Sequence, residues 1–207
     1  MAIIGVVSQK GGVGKSTLCQ ALVAEATRAG LLAKLADLDV LQGTAVEWNR
    51  VRTSQGVDPV VDVQSFTTVE ASLRGAESID YLIIDGPARS TVNTLAVAKC
   101  ADLIIQPTGC YSADLRPAVR LSNELVASGI PRERLVIVLC RVGSDAEERD
   151  ARTFLIEAGL VAVAGSLPER TAYRTAQNHG KAITEVSIRS LRVRAERLIS
   201  NIGEFLA

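Results

Sequence analysis

The sequence has few aromatic residues, no net charge and no long apolar run, and each absence excludes a class of protein. Aromatic residues are 3% of the 207 positions, so a core must be built from Val, Leu, Ile and Ala. The 23 basic and 23 acidic residues cancel, so any nucleic-acid contact must come from a local patch. Without a membrane-length apolar run or a basic N-terminal leader, we expect a soluble cytoplasmic protein.

Metal-binding and redox patterns are also missing. The four cysteines include no Cys-x-x-Cys pair, so we interpret them as small buried hydrophobic residues: Cys19, Cys100, Cys110 and Cys140. Their spacing argues against an iron–sulfur reductase. The one histidine, His179, lies outside any metal-ligand spacing, and we assign it no role.

The remaining composition predicts a single domain over residues 1–207. Hydrophobic residues are 47% and charged residues 22% of the sequence, which are ordinary globular values. Short apolar runs alternate with helical segments, which favours a parallel sheet covered by helices. The predicted strands are Ile3–Val7, Leu31–Ala36, Val60–Val63, Ile79–Asp85, Leu103–Pro107, Leu135–Leu139 and a last one at Leu160–Ala164.

A glycine-rich loop with a lysine and a hydroxyl residue joins the first strand to the first helix. The loop reads Gln9-Lys10-Gly11-Gly12-Val13-Gly14-Lys15-Ser16-Thr17. Its glycines let successive backbone N–H groups face phosphate oxygens, and the positive end of the following helix adds to the attraction. Glycines alone would indicate a tight turn, but Gly14-Lys15-Ser16 in this context predicts a nucleotide site. Lys15 would reach the β and γ phosphates, and the Ser16 hydroxyl would bind Mg²⁺.

The loop departs from the common phosphate-loop pattern at two positions. Gln9 stands where Gly-x-x-x-x-Gly-Lys-[Ser/Thr] has glycine, and Lys10 adds a second lysine. Lys10–Thr17 resembles the deviant Walker A motif of the ParA/MinD ATPases, in which the first lysine is the signature. The resemblance runs over nearly the whole chain and is greatest to short ParA-type partition ATPases without an N-terminal DNA-binding domain. It implies an α/β P-loop NTPase fold with three layers, α/β/α, around a mostly parallel twisted sheet of about seven or eight strands.

The resemblance also implies a catalytic cycle and assigns residues to it. Two subunits would hold ATP and Mg²⁺ between them, and Lys10 of each would reach the phosphates bound by the other, as an arginine finger does. The ATP-bound homodimer would bind DNA non-specifically, and a ParB-like or other activating partner protein would stimulate its weak ATPase activity. Catalysis would rest on Lys10, Lys15 and Asp39. The implied nucleotide contacts are Gly11, Gly12, Val13, Gly14, Lys15, Ser16, Thr17, Arg141 and Pro168.

Aspartates at the ends of two predicted strands complete the expected site. Asp37 and Asp39 follow the second strand, where α/β sheets place ligands. By resemblance, Asp39 lies near the attacking water and the metal, and Asp37 supports the surroundings of Mg²⁺ and Lys15. The alternative is that both aspartates only shape a loop. Asp85 ends an apolar strand and is typical of the Walker B acid, which holds Mg²⁺ through water.

Two segments differ from the family pattern. Val40-Leu41-Gln42 follows Asp39, where relatives have Pro-Gln, so Gln42 is offset by one position. Cys140-Arg141 stands where relatives have Asn-Arg near the adenine. A thiol cannot make the paired contacts of an amide, so phosphate binding carries over more fully than adenine recognition.

The C-terminal part combines a second family segment with a basic helix. Pro168–Ala176 resembles the Pro-x-Arg-x-x-Tyr-x-x-Ala segment of partition ATPases, and Ser187–Phe205 is predicted to be an amphipathic helix. Residues 169–197 contain seven basic residues against three glutamates. The candidate DNA contacts are Arg170, Arg174, Lys181, Arg189, Arg192 and Arg197.

Three interpretations of this basic region stay open. It could be a solvated, salt-bridged helix face, a contact to the DNA backbone, or a membrane-surface helix. Packing on the sheet explains the apolar face better than lipid does, and Glu204 opposes anionic lipid, so we do not expect a membrane partner. The leading hypothesis is an ATPase that partitions or positions plasmid or chromosomal DNA, or another cargo, and associates with the nucleoid if it binds DNA. The alternatives are a MinD-like membrane-cycling regulator and, less favoured, a metabolic P-loop ATPase or ligase.

Overall fold

The computed structural model describes residues 1–87 and 91–206, in which strands and helices alternate as far as residue 157. The strands are β1 (Ala2–Val6), β2 (Ala33–Asp37), β3 (Asp62–Ser65), β4 (Tyr81–Asp85), β5 (Leu103–Thr108), β6 (Leu135–Val142), β7 (Val161–Ala162) and β8 (Leu167–Pro168). The helices are α1 (Lys15–Arg28), α2 (Thr44–Ser54), α3 (Val69–Leu73), α4 (Thr91–Cys100), α5 (Ser112–Ala127), α6 (Asp145–Glu157), α7 (Thr171–Asn178) and α8 (Arg189–Gly203).

The strands form one parallel sheet in the order β3-β2-β4-β1-β5-β6-β7, with β8 paired to β6. The strand that leads into the glycine-rich loop therefore lies at the centre, with β4 on one side and β5 on the other. Because all strands run the same way, their carboxyl ends share one edge, where the end of β6 and the loops after β1, β2 and β4 meet. The predicted α/β class and mostly parallel sheet are confirmed.

Several predicted strands differ from the structure at their ends, and two of them are instructive. The sequence predicts Leu160–Ala164 as the last strand, but β7 covers only Val161–Ala162 and β8 follows it. A two-residue strand that ends in proline has no periodic pattern to reveal it. The expected strand Val60–Val63 begins two residues later, at Asp62. Val60 is 75% exposed and precedes the edge strand β3, so an apolar residue alone did not mark the strand's start.

Helices cover both faces of the sheet and bury alternate strand residues. On one face, Ile4 and Val6 of β1 pack with α1, α2, α7 and α8. On the other face, Ile3 packs with residues of α3, α4 and α5. Helix α6 packs beside α5 at the β6 end of the sheet. The three predicted layers follow from this alternation, since successive strand side chains point to opposite faces.

A buried arginine ties α2 to the chain around residues 180–185. Arg52 is 1% exposed, and its guanidinium donates to both carboxylate oxygens of Glu185 at 2.7 and 2.9 Å and to the Gly180 carbonyl at 3.0 Å. A Cβ at position 180 would lie 2.3 Å from the Arg52 backbone, so only glycine allows this close packing. Trp48 is 4% exposed and its indole N–H donates to the Lys181 carbonyl, so it packs α2 against the same segment.

The cysteines follow the interpretation from sequence only in part. All four are free thiols. Cys19 and Cys140 are fully buried, whereas Cys100 and Cys110 are half-buried. Burial raises the pKa of Cys140 to about 12, so its thiol acts as a packing group rather than a nucleophile at neutral pH.

Candidate nucleotide site

The glycine-rich loop wraps around the start of α1, as its sequence predicts. Gly14 precedes the first helical residue, Lys15, and has φ 106°, a conformation that favours glycine. A Cβ at Gly14 would also lie 3.3 Å from the Cys140 sulfur, which leaves little room for any larger residue. Because no side chain of the described residues caps α1, its first N–H groups stay free to bind an anion.

A cavity of about 500 Å³ opens at this helix start, on the carboxyl edge of the sheet. Its wall comes from the loops after β1, β2 and β4, from the carboxyl end of β6, and from α1, β8 and α7. Most of the residues predicted to bind nucleotide or metal line it: Gly11, Gly12, Gly14, Lys15, Ser16, Thr17, Asp39, Asp85, Arg141 and Pro168. Val13 does not line the cavity, since its side chain is buried at 2% exposure.

Asp85 is a buried acid, and one of its carboxylate oxygens makes no hydrogen bond to the described residues. The residue is 2% exposed, and within residues 1–87 and 91–206 its Oδ1 has no hydrogen-bond partner. Burial raises the pKa of Asp85 to about 7, although a hydrogen bond from Ser16 and the charge of Lys15 oppose the shift. A buried, unpaired carboxylate oxygen is costly, and a nearby cation would relieve that cost.

Ser16 and Asp85 therefore fit the Mg²⁺ that the fold family implies. In the described residues, no three His, Cys, Asp or Glu side chains converge to form a metal site of their own. This arrangement agrees with the habit of Mg²⁺, which keeps several waters and takes one or two protein ligands plus substrate phosphates. The Ser16 hydroxyl and the free Asp85 oxygen are the groups that would hold it.

The two aspartates after β2 have different environments. Asp37 is fully buried, and its carboxylate accepts from the backbone N–H groups of Asp39 and Ala45, both at 3.0 Å. Burial raises the pKa of Asp37, while these hydrogen bonds oppose the rise. Asp37 thus shapes the loop and the start of α2, the alternative left open by the sequence. Asp39 is half-buried and lines the cavity, so it is the carboxylate that can face a bound phosphate.

Lys10 does not line the nucleotide cavity of its own subunit. Its ammonium is 3.6 Å from Asp114 Oδ1 on α5, and its side chain is 43% exposed. The neighbouring Gln9 donates to Glu124 on the same helix at 2.9 Å. The signature lysine is therefore directed toward α5 and solvent, where a second molecule could reach it.

Arg141 and Glu169 bridge three segments of the cavity wall. Arg141 has φ 58°, which is unusual for a residue with a side chain. Its guanidinium donates to the Gly12 carbonyl at 3.3 Å and to Glu169 at 3.1 Å, and Glu169 also accepts from Arg174. Glu169, Tyr173 and Gln177 line the cavity but were not predicted as site residues. The Pro-x-Arg-x-x-Tyr-x-x-Ala segment was the signal that could have found Glu169 and Tyr173, whereas Gln177 lies one residue beyond it.

The structure divides the six candidate DNA contacts into three groups. Arg170 and Arg174 line the nucleotide cavity. Lys181, Arg189 and Arg192 line a separate open groove of about 570 Å³ near the start of α8. The sixth, Arg197, is exposed and is not among the residues that line either feature.

The parallel sheet, the glycine-rich loop before α1 and the buried acid Asp85 together define a P-loop nucleotide-binding protein. The family described as the CobQ/CobB/MinD/ParA nucleotide binding domain matches residues 4–183. The chain belongs to this family, which confirms the resemblance drawn from Lys10–Thr17. A search of curated proteins found no significant match.

Solved structures agree with the family assignment at the level of the fold. MinD of Pyrococcus horikoshii complexed with Mg-ADP is 18% identical over 98% of this chain and 95% of its own, with a TM-score of 0.72. A variant of Cyanothece McdA in complex with ATP is 17% identical over 98% and 96%, with a TM-score of 0.73. A putative plasmid partition protein from Borrelia burgdorferi bound to AMPPNP is 18% identical over 99% and 98%, with a TM-score of 0.70.

None of the helices in the described part of the chain combines the length and the apolarity that crossing a bilayer requires. The apolar face predicted from the sequence comprises Ile188, Leu191, Ala195, Leu198, Ile199 and Ile202. The last four are buried on α8, whereas Leu191 is only partly buried. Ile188 is 49% exposed and precedes the helix.

Proposed function

We propose that the chain is a single-domain, cytoplasmic ATPase that dimerises on ATP and partitions or positions DNA or another cargo. The observation that carries the proposal is the meeting of Lys15, Ser16 and the unpartnered Asp85 oxygen at the start of α1, as seen among the described residues. Family membership and the nucleotides bound to structural relatives support it. ATP hydrolysis measured with and without DNA is the direct test.

The residues of the cavity suggest how hydrolysis would proceed. Loop N–H groups and Lys15 would hold the phosphates, and Ser16 and Asp85 would hold Mg²⁺. When bound, Mg²⁺ supplies positive charge that offsets the charge on the phosphates. Asp39 would orient the attacking water from the loop that Asp37 shapes.

A second subunit would complete the site. Lys10 is exposed and pairs with Asp114 at 3.6 Å, so moving it to a partner's phosphates breaks one weak surface ion pair. There it would neutralise charge in the manner of an arginine finger. The ATP-bound dimer would also bring together two copies of the groove that Lys181, Arg189 and Arg192 line, and so favour DNA. A ParB-like or other protein would stimulate hydrolysis.

Replacing Asp39 with alanine should separate ATP binding from turnover. The side chain lines the cavity, while the loop is held by Asp37 through backbone hydrogen bonds, so its shape should survive. We expect ATP affinity within about threefold of wild type and a fall in turnover of about 100-fold or more, the usual range for a positioned acid–base group. Calorimetry and phosphate release measure the two. If the variant hydrolysed ATP at the wild-type rate, another residue would have to orient the attacking water.

Replacing Lys181, Arg189 and Arg192 with alanine tests the DNA contact. If each holds one phosphate, the slope of log affinity against log salt should fall by about 3 per subunit. Fluorescence anisotropy with a random duplex, with ATP and at several salt concentrations, measures this slope.

A control with the same loss of charge is available away from the groove. Arg116, Arg120 and Arg134 are exposed and lie on or after α5, and their replacement should leave the slope unchanged. Equal slopes for the two triple variants would remove the DNA site from this groove. If the protein sedimented with anionic liposomes and not with DNA, the MinD-like alternative would be favoured. Ile188 and Phe205 are exposed apolar residues that would then contact the membrane.

A further inference from the structure

Helix α7 touches both the nucleotide cavity and the basic helix α8. Tyr173, Arg174 and Gln177 lie within little more than one turn of α7, and all three line the cavity. The Tyr173 hydroxyl donates to the Leu191 carbonyl at 2.8 Å. Leu191 lies in the first turn of α8, beside Arg192, which lines the groove near the start of that helix.

The Tyr173 link is buried and well suited to transmit a displacement. Tyr173 is 4% exposed and belongs to the same apolar cluster as Ala195 and Leu198 of α8. Burial raises the pKa of Tyr173, although the charges of Arg194 and Arg170 oppose the shift. The hydroxyl is therefore protonated at neutral pH and can donate. Because its acceptor is a backbone carbonyl, the bond holds the helix itself rather than a mobile side chain.

A second contact ties α7 to the helix that follows the phosphate loop. The Gln177 amide donates to the Thr17 hydroxyl at 3.1 Å and to the Gln20 side chain at 2.7 Å. Gln20 is 1% exposed, and Thr17 adjoins Ser16 at the start of α1. Helix α7 thus lies between the phosphate end of the cavity and the first turn of α8, with a hydrogen bond to each side.

We propose that Tyr173 is a positioning residue that couples nucleotide occupancy to the first turn of α8. A nucleotide that fills the cavity packs against the wall formed by Tyr173 and Gln177 and fixes α7. The hydroxyl bond then orders the turn that carries Arg189 and Arg192. By linkage, an anion bound at this turn strengthens nucleotide binding by the same factor. The proposal rests on the proposed nucleotide site, and it concerns DNA only through α8.

Tyr173→Phe tests the coupling, because it removes the hydroxyl and keeps the buried ring. Hydrogen exchange of the α8 amides, with and without AMP-PNP and Mg²⁺, is the principal measurement. In wild type we expect the nucleotide to slow exchange in α8, and in the variant we expect that slowing to fall by about fivefold or more, the lower end of usual coupling factors. Because Tyr173 lines the cavity, calorimetry measures the nucleotide affinity of each chain, and the exchange experiments are run at equal occupancy of the site.

Tyr111→Phe is the matched control, since Tyr111 is 72% exposed and precedes α5. It should behave as wild type. Equal slowing in wild type and Tyr173→Phe, or none in wild type, overturns the proposal. A Tyr173→Phe chain that fails to fold or to bind nucleotide also overturns it, because the hydroxyl would then be a structural requirement. If neither wild type nor Tyr173→Phe binds DNA, but the nucleotide still slows hydrogen exchange in α8 more in wild type than in the variant, the coupling stands and the DNA function fails.

Discussion

Lys15→Ala is expected to lower ATP affinity by about 140-fold to 20,000-fold, the equivalent of two charge-assisted hydrogen bonds of about 1.5–3 kcal/mol each. Lys15 is 9% exposed and opens α1 inside the cavity, so no other described side chain occupies its place beside the loop N–H groups. Calorimetry with ATP and Mg²⁺, after circular dichroism has confirmed folding, measures the change.

Two other lysines are controls for this prediction. Lys34 pairs with Asp62 at 3.6 Å, away from the cavity, and Lys34→Ala should bind ATP as wild type does. Lys10→Ala should bind ATP as a monomer but lose turnover, because Lys10 is outside its own cavity. If Lys15→Ala kept its ATP affinity, the loop would not be the phosphate site. If Lys10→Ala lost affinity as far as Lys15→Ala, both lysines would act within one subunit.

Arg52→Ala is expected to cause the largest loss of stability. The change leaves the Glu185 carboxylate buried without its main partner, and such losses are about 3–5 kcal/mol. Arg28 also pairs with Glu185, at 2.5 Å, so we expect the lower half of that range. For a chain of this size the melting temperature should fall by about 6–16 °C. Thermal unfolding followed by circular dichroism measures the fall, and a single transition is expected if residues 1–207 form one domain.

Arg50→Ala is the control for Arg52→Ala. It lies two residues away on the same helix and pairs with Glu47 on the surface. Burial is absent there, so removing the pair should leave the melting temperature unchanged within error. Equal melting temperatures for the two variants would mean that the buried pair contributes no net stability.

The sequence predicts the strands and the phosphate-binding loop, because each is determined by residues that are neighbours in the sequence. Apolar runs located the long strands, and the loop Gln9–Thr17 located the phosphate end of the site, because a turn and a helix start are local geometry. Asp39 and Asp85 could be placed because each follows a strand, and parallel strands end at one edge.

Contacts between distant segments could not be predicted in this way. Counting charges grouped Arg174 with Arg189 as one basic region, but the fold turns Arg174 toward the nucleotide cavity and Arg189 toward the other groove. An arginine in a helix is also typical of a surface position, and nothing near Arg52 in the sequence indicates that Glu185 will meet it.

The burial of Arg52 sets an order of events during synthesis. Its partners Gly180 and Glu185 lie 128 and 133 residues further along the chain. At about 5–20 residues per second, a ribosome needs about 7–27 s to add the last of them. During that interval the guanidinium must remain hydrated, because burying an unpaired charge costs several kcal/mol. Helix α2 can therefore form early but can dock fully only once the chain has been translated through Glu185.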